Sequence, residues 1–361
     1  MLAEVESWTS MKPLISILIP AYNAQQWIAD TIESALGQTW PKKEIVVVDD
    51  GSTDQTFQIA KRFASRTVRV VTQANQGAAA ARNTAFSMCQ GDYIQWLDAD
   101  DLLDPDKVKN QVRKLDDCPT KRTLLAGAWG YFIYRKRKAR FSPTFLWCDL
   151  TPLEWMVRKM GNNLHMQTDN WLVSRELSEA AGPWDSRLWR DNDGEYFCRV
   201  ILACDAIQFV PDAKSYYRVA GFKSVSYIGG SNKKLESLLL SMKSHIRYLR
   251  SMEDSERTRS ACIKYIRTWL PEFYPYRLDI ARELKEIATQ LGGTLEEPRL
   301  SWKYNWMVKL FGWGVGRRAH LMMRQLKASL IITWDKAMLQ LESRMQAGRG
   351  GRNEEVTVFR D

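Results

Sequence analysis

The sequence predicts an α/β protein: a mostly parallel sheet flanked by helices, followed by a helical C-terminal region. Three observations predict it. Short apolar, β-branched runs alternate with helically spaced apolar residues from position 14 to 100. Turn-forming residues punctuate each change of period. From about Ser231 onward the pattern is helical, with breaks at Pro271, Pro275 and Gly292-Gly293.

The elements follow in order. Leu14 to Ile19 reads as a buried strand ending at Pro20. Trp27, Ile28, Thr31, Ile32, Ala35 and Leu36 recur at helical spacing, closed by Gly37 and Pro41. Ile45 to Val48 is a second strand. Ser52 is placed to cap a helix carrying Phe57, Ala60, Phe63 and Ala64 on one face. Val68 to Val71 is a third strand, Gly77 to Met88 an Ala-rich helix, and Tyr93 to Leu97 a fourth strand. This alternation means parallel strands covered on both faces. A helix is expected after Pro105, a strand near 123–134, a solvated basic loop at 135–140, and short strands near 207–210 and 216–219.

Composition excludes several classes. The chain has 361 residues, 45% hydrophobic and 26% charged, which is globular composition rather than disordered or fibrous. No run approaches the apolar length of a spanning helix, and the first residues, with Glu4 and Glu6, do not form a secretory signal. The six Cys show no CxxC pair and the three His are scattered, so a reduced cytoplasmic setting is expected and a zinc site is not. The net charge is +10, and residues 233–361 hold 24 Lys+Arg against 15 Asp+Glu. The first two thirds are therefore nearly neutral, which argues against a nucleic-acid surface there.

In an open parallel sheet, ligands sit beyond the carboxyl ends of the strands. The first strand leads into Pro20-Ala21-Tyr22-Asn23, the second into Asp49-Asp50-Gly51-Ser52, the fourth into Asp98-Ala99-Asp100-Asp101. Five carboxylates at one sheet edge repel unless a cation or a donor-rich ligand sits among them. A hard divalent ion, Mn²⁺ or Mg²⁺, takes one or two carboxylates and completes its shell with substrate phosphates. No GxxxxGK[ST] occurs, and no GxGxxG follows a strand in the first half, which removes a P-loop and disfavours a dinucleotide fold.

These segments carry a resemblance. Ser16 to Asn23, Val46 to Asp54, Asn75-Gln76-Gly77 with Ala81-Arg82-Asn83, and Gly91-Asp92-Tyr93-Ile94 leading to Asp98-Ala99-Asp100-Asp101 resemble family 2 glycosyltransferases of the Rossmann-like GT-A fold. The similarity is strong over roughly the first 110 residues, weaker to about 220, and does not reach the C-terminal third. It implies transfer of a sugar from a nucleotide diphosphate, with UDP-hexose the expected donor, to an acceptor hydroxyl with inversion, in cell-surface polysaccharide or glycolipid synthesis. Carried over by position, Pro20, Tyr22 and Asp49 line the nucleoside, Asp50 supports that loop, and Arg82 lies near the diphosphate. Asp98 and Asp100 match the DXD motif, with Asp100 the first choice as metal ligand. Asp101 is expected to open the next helix. The downstream turn Gly182-Pro183-Trp184-Asp185 precedes Asp191-Asn192-Asp193, which supplies the base as Asp193, with Asp191 the alternative.

Trp184 and Trp189 are candidate acceptor platforms. The expected organisation is an N-terminal extension over 1–13, a transferase domain over 14–225 divided at 115, a basic helical region over 226–345, and a flexible tail over 346–361. Seven basic residues and no acid lie between 299 and 334, interleaved with Trp302, Tyr304, Trp306, Phe311 and Trp313. That pattern suits a peripheral contact with the inner membrane face, useful for a glycan or lipid-linked acceptor. The competing expectation is a non-catalytic sugar-nucleotide binding protein of an assembly complex.

Overall fold

The computed structural model describes residues 12–118, 120–219, 231–298 and 302–353. Most of the expected N-terminal extension and the end of the tail, from 354, lie outside the described residues. Two compact units divide the chain. The first comprises 1–130, 141–217 and 225–298; the second comprises 131–140, 218–224 and 299–361.

In the first unit, β1 (Ile15–Ala21), β2 (Lys43–Asp49), β3 (Val68–Thr72) and β4 (Tyr93–Trp96) run parallel, and β8 (Val173–Ser174) adds antiparallel to β4. The order is β3-β2-β1-β4-β8. Alternate residues show why both faces are apolar. Ile15, Ile17 and Ile19 of β1 enter one core with Ile45 and Val47 of β2. Leu18, Val46 and Val48 enter the other. The first core is closed by α1 (Ile28–Leu36) and α4 (Lys107–Lys114). The second is closed by α3 (Ala78–Met88) and by the helices of the second half of the unit. A second sheet, ordered β5-β9-β6-β7, contains β5 (Leu102–Leu103), β6 (Thr123–Phe132), β7 (Arg140–Phe141) and β9 (Ala206–Arg218). The two short strands expected near 207–210 and 216–219 are therefore one continuous strand.

Three helices build the middle of the chain: α5 (Pro152–Asn162), α6 (Arg175–Ala181) and α7 (Asn192–Ala203). Thr151 and Ser174 cap α5 and α6 by accepting from the third backbone N–H of each helix. Beyond them lie α8 (Asn232–Met252), α9 (Glu256–Trp269) and α10 (Leu278–Gln290), whose apolar faces join the same core. Much of the tryptophan content is core: Trp155 meets Trp171, and Trp171 stacks on Phe197.

Three local expectations fail for visible reasons. The helix after β2 is only α2 (Thr56–Lys61), and Ser52 does not cap it. The Ser52 hydroxyl instead accepts the Asn23 N–H at 2.9 Å, tying two loops together. Asp101 does not open a helix: its N–H closes a turn onto the Asp98 carbonyl, its carbonyl accepts the Thr31 hydroxyl, and Asp106 precedes α4. The basic run at 135–140 is not a solvated loop. Arg135 pairs with Asp335 at 2.7 Å and Glu342 at 3.1 Å, and the Tyr134 N–H also donates to Asp335. These contacts belong to the second unit, whose main element is α11 (Trp302–Asn353), interrupted where Gly312 takes φ 81°.

Candidate active site

The site begins where β1 and β2 end side by side, with Pro20 opposite Val48 and Ala21 opposite Asp49. Asn23 adopts φ 48°, which lets its carboxamide oxygen accept the Thr53 N–H at 2.9 Å. Tyr22 stands between these anchors and is 50% exposed. Asp49 is buried. Its Oδ2 accepts from the Ser52 N–H and the Thr72 hydroxyl, whereas its Oδ1 is buried with no protein hydrogen-bond donor. A buried carboxylate oxygen left unsatisfied is costly, so this atom suits a ligand N–H or O–H. Asp50 is satisfied within the protein. It accepts from Gln73 Nε2 at 2.7 Å and from the N–H groups of Gln76 and Gly77 at 3.0 and 2.7 Å. It therefore shapes the loop that leads into α3.

At the end of β4, the Leu97 N–H donates to Leu18 and the chain turns through Asp98, Ala99 and Asp100. Arg82, on α3, reaches under this turn. Its guanidinium donates to Asp98 Oδ1 at 2.6 Å and to Asn192 Oδ1 at 3.3 Å, and lies 4.4 Å from the Trp184 ring centroid. One buried cation thus joins the carboxylate turn, the start of α7 and the turn at 182–185. The next residue, Asn83, exchanges two hydrogen bonds with the Trp184 backbone, at 2.8 and 2.9 Å.

Tyr217 lies on β9. Burial and the charges of Asp101, Asp100, Asp98 and Asp193 push its phenol well above the usual tyrosine range. These charges come from the β4 turn and from the first turn of α7. Below the turn, Lys107 and Asp169 are fully buried, and burial drives both toward their neutral forms. Lys107 donates to Gln95 and Gln111, and Gln95 donates to the Asp169 carbonyl at 2.9 Å.

The two candidates for the base occupy different places. Asp191 takes φ 55°, and its carboxylate accepts the Ser241 hydroxyl on α8. Asp193 sits in the first turn of α7, partly exposed. Trp184 is 2% exposed and stacks on Tyr196 with centroids 4.0 Å apart, so its surface is spent inside the protein. Trp189 is partly exposed, with Lys233 Nζ 3.4 Å from its ring centroid.

Sequence reasoning missed Tyr217, Asn192, the Lys107–Asp169 pair and the α8 hydroxyls. A signal existed only for the last: Ser237, Ser241 and His245 fall at helical spacing among Leu238, Met242 and Ile246.

Could the residues hold a divalent cation? Among the described residues, no group of three or more ligating side chains gathers. Two carboxylates separated by one residue at a partly exposed turn, Asp98 and Asp100, still fit an ion that draws its remaining ligands from a diphosphate.

The family model Glycosyl transferase family 2 matches residues 16–180. Chondroitin synthase of Escherichia coli is 45% identical over 109 residues, covering 29% of this chain and 16% of that protein. The putative teichuronic acid biosynthesis glycosyltransferase TuaG of Bacillus subtilis is 42% identical over 107 residues, covering 29% of this chain and 42% of its own. The chain thus spans less than half the length of either curated relative. Among solved structures, S. aureus TarS 1-349 in complex with UDP superposes with a TM-score of 0.56 at 18% identity, covering 81% of this chain and 78% of TarS. At that identity the likeness is one of fold, and it is the GT-A fold.

Proposed function

We propose, from the premise that this chain is a family 2 glycosyltransferase through residues 16–180, that it is an inverting enzyme moving a hexose from UDP to an acceptor hydroxyl in cell-surface polysaccharide or glycolipid synthesis. The observation that carries the reading is the buried Arg82 bridge, which ties Asp98 of the β4 turn to Asn192, the chain neighbour of Asp193. It links the turn that carries the proposed metal ligands to the helix start that carries the proposed base. The unsatisfied Asp49 Oδ1, beside half-exposed Tyr22, supports a nucleoside site at the neighbouring strand ends. TarS was captured with UDP, which supports that nucleotide.

In this reading Asp193 takes the proton from the acceptor hydroxyl as its oxygen attacks the anomeric carbon. Asp98 and Asp100 would hold Mn²⁺ or Mg²⁺, which when bound neutralises charge at the departing diphosphate. Arg82 keeps the Asp98 carboxylate and Asn192 in fixed relation. Pro20, Tyr22 and Asp49 seat the nucleoside, and Asp50 holds their loop. A single in-line displacement inverts the anomeric centre. The transferase domain would span 14–225, with the donor half ending near 115.

A peripheral membrane contact through α11 belongs to the same proposal. Leu310, Phe311, Met322, Leu326, Leu330 and Trp334 are exposed, while Asp335 and Glu342 are engaged by Arg135. No helix among the described residues is long and apolar enough to cross a membrane, so the helix would lie on the surface.

The test is a panel of nucleotide sugars, scored by thermal shift and donor hydrolysis with and without Mn²⁺. The reading expects a UDP-sugar to stabilise the protein and be turned over only with metal. Failure of every nucleotide sugar to bind would remove it.

A further inference from the structure

The turn that presents Asp193 is gripped from one side by a single stripe of α8, at positions 237, 241, 245 and 248. The Ser237 hydroxyl donates to the Arg190 carbonyl at 2.9 Å and accepts the Arg190 N–H at 3.0 Å. The Ser241 hydroxyl donates to Asp191 Oδ2. His245 Nδ1 shares a hydrogen bond with the Tyr265 hydroxyl at 2.9 Å and lies 3.8 Å from the same Asp191 oxygen. The Tyr248 hydroxyl donates to Glu195 Oε1 at 2.7 Å, and Glu195 in turn pairs with Arg199 at 2.9 Å. Spacings of four, four and three residues put these side chains on one face of α8.

The turn itself needs this support. Asp191 holds a left-handed conformation unfavourable for a residue with a Cβ, costing of the order of 1 kcal/mol. A Cβ at position 194 would overlap Asp191 Oδ1, so Gly194 is the residue that lets the carboxylate fold back under the helix start. Ser241 and His245 are fully buried, and burial pushes the imidazole down to about 3, so the grip stays neutral at physiological pH. Arg190 adds a third anchor, its guanidinium 5.3 Å from the Trp269 ring centroid.

We infer that Ser237, Ser241 and His245 of α8, outside the matched family region, are positioning residues that fix Asp191 and through it the aim of Asp193. The inference rests on the transferase reading above and deepens it. The C-terminal helical layer then completes the catalytic arrangement, and Asp191 acts as the anchor of the turn rather than as the base. A misplacement of about 1 Å at a reacting group costs about 10²-fold in rate.

The test pairs kinetics with amide hydrogen exchange on the full chain carrying Ser237→Ala and Ser241→Ala together, with Ser241→Thr as the conservative variant. The expected result is a kcat for donor turnover lowered about 10²-fold, unchanged donor KM and UDP affinity, faster exchange confined to residues 190–196, and recovery in Ser241→Thr. Ser237→Ala alone serves if the double variant does not fold, with the same pattern at smaller size. Faster exchange with unchanged kcat would reduce the stripe to a purely structural role, and unchanged exchange would remove the grip altogether; either overturns the inference. If the unsubstituted protein turns over no nucleotide sugar, the transferase reading fails on its own. The exchange result then decides the grip: acceleration confined to 190–196 supports it and its absence overturns it.

Discussion

Replacing Arg82 tests how much of the site depends on one side chain. Its guanidinium is 6% exposed and bridges Asp98, 32% exposed, at 2.6 Å. A hydrogen bond to a charged partner contributes about 1.5–3 kcal/mol. The Asn192 bond at 3.3 Å adds about 1 kcal/mol. The position over Trp184 adds about 0.5–2 kcal/mol. Partial exposure of Asp98 trims the ion pair, and the three contacts are not additive. Arg82→Ala is therefore expected to cost about 3–4 kcal/mol, divided between fold stability and transfer, and about 1.4 kcal/mol corresponds to tenfold. If most of it falls on transfer, kcat/KM drops about 10²-fold or more. Arg82→Lys keeps a charge for Asp98 but has no planar fork to span both oxygens, so it should fall between, near tenfold. The assay is donor hydrolysis alongside UDP calorimetry in Mn²⁺. An Arg82→Ala enzyme within threefold of wild type in both would refute the bridging role.

Asp193→Asn should lower turnover by about 10²–10⁴-fold while UDP affinity holds, and near-normal turnover would exclude it as the base. His245, buried against Tyr265 and near Lys159 and Glu195, is held neutral with its pKa down at about 3. The unfolded chain protonates it below about 6.5, so its stabilising contribution is intact above that pH and is lost on acidification toward 3, by up to about 1.4 kcal/mol per pH unit. Acid unfolding curves should therefore be flatter in His245→Asn, and parallel curves would contradict this. Leu326→Glu with Leu330→Glu should abolish pelleting with anionic vesicles without changing donor hydrolysis, and unchanged pelleting would exclude that face of α11 as the contact.

The sheet was legible because its signal is local. Ile15 to Ile19 and Ile45 to Val48 are buried on both faces, so they read as unbroken apolar runs, and the residues after them had to be the rim. The carboxylates were legible for the same reason, since Asp49, Asp98 and Asp100 follow strand ends directly. What stayed hidden depends on distance along the chain. Arg82 meets Asn192 across 110 residues, and Arg135 meets Asp335 across 200. A basic run with its acids that far away reads as a solvated loop. Ser52 looked like a cap because capping residues and loop clasps share the same chemistry, and only the position of Asn23 decides between them. The tryptophans divided similarly: nothing in the sequence near Trp184 says that Tyr196 and Arg82 cover it.

Anomalous diffraction at the manganese edge, from crystals grown with Mn²⁺ and a UDP-sugar, reaches the foundation of all this in a single map. A peak beside Asp100, with the diphosphate against it, uracil at Asp49 and Tyr22, and Asp193 facing the anomeric carbon, is the predicted result. A nucleotide seated away from these four residues, or manganese bound nowhere near the β4 turn, would contradict it.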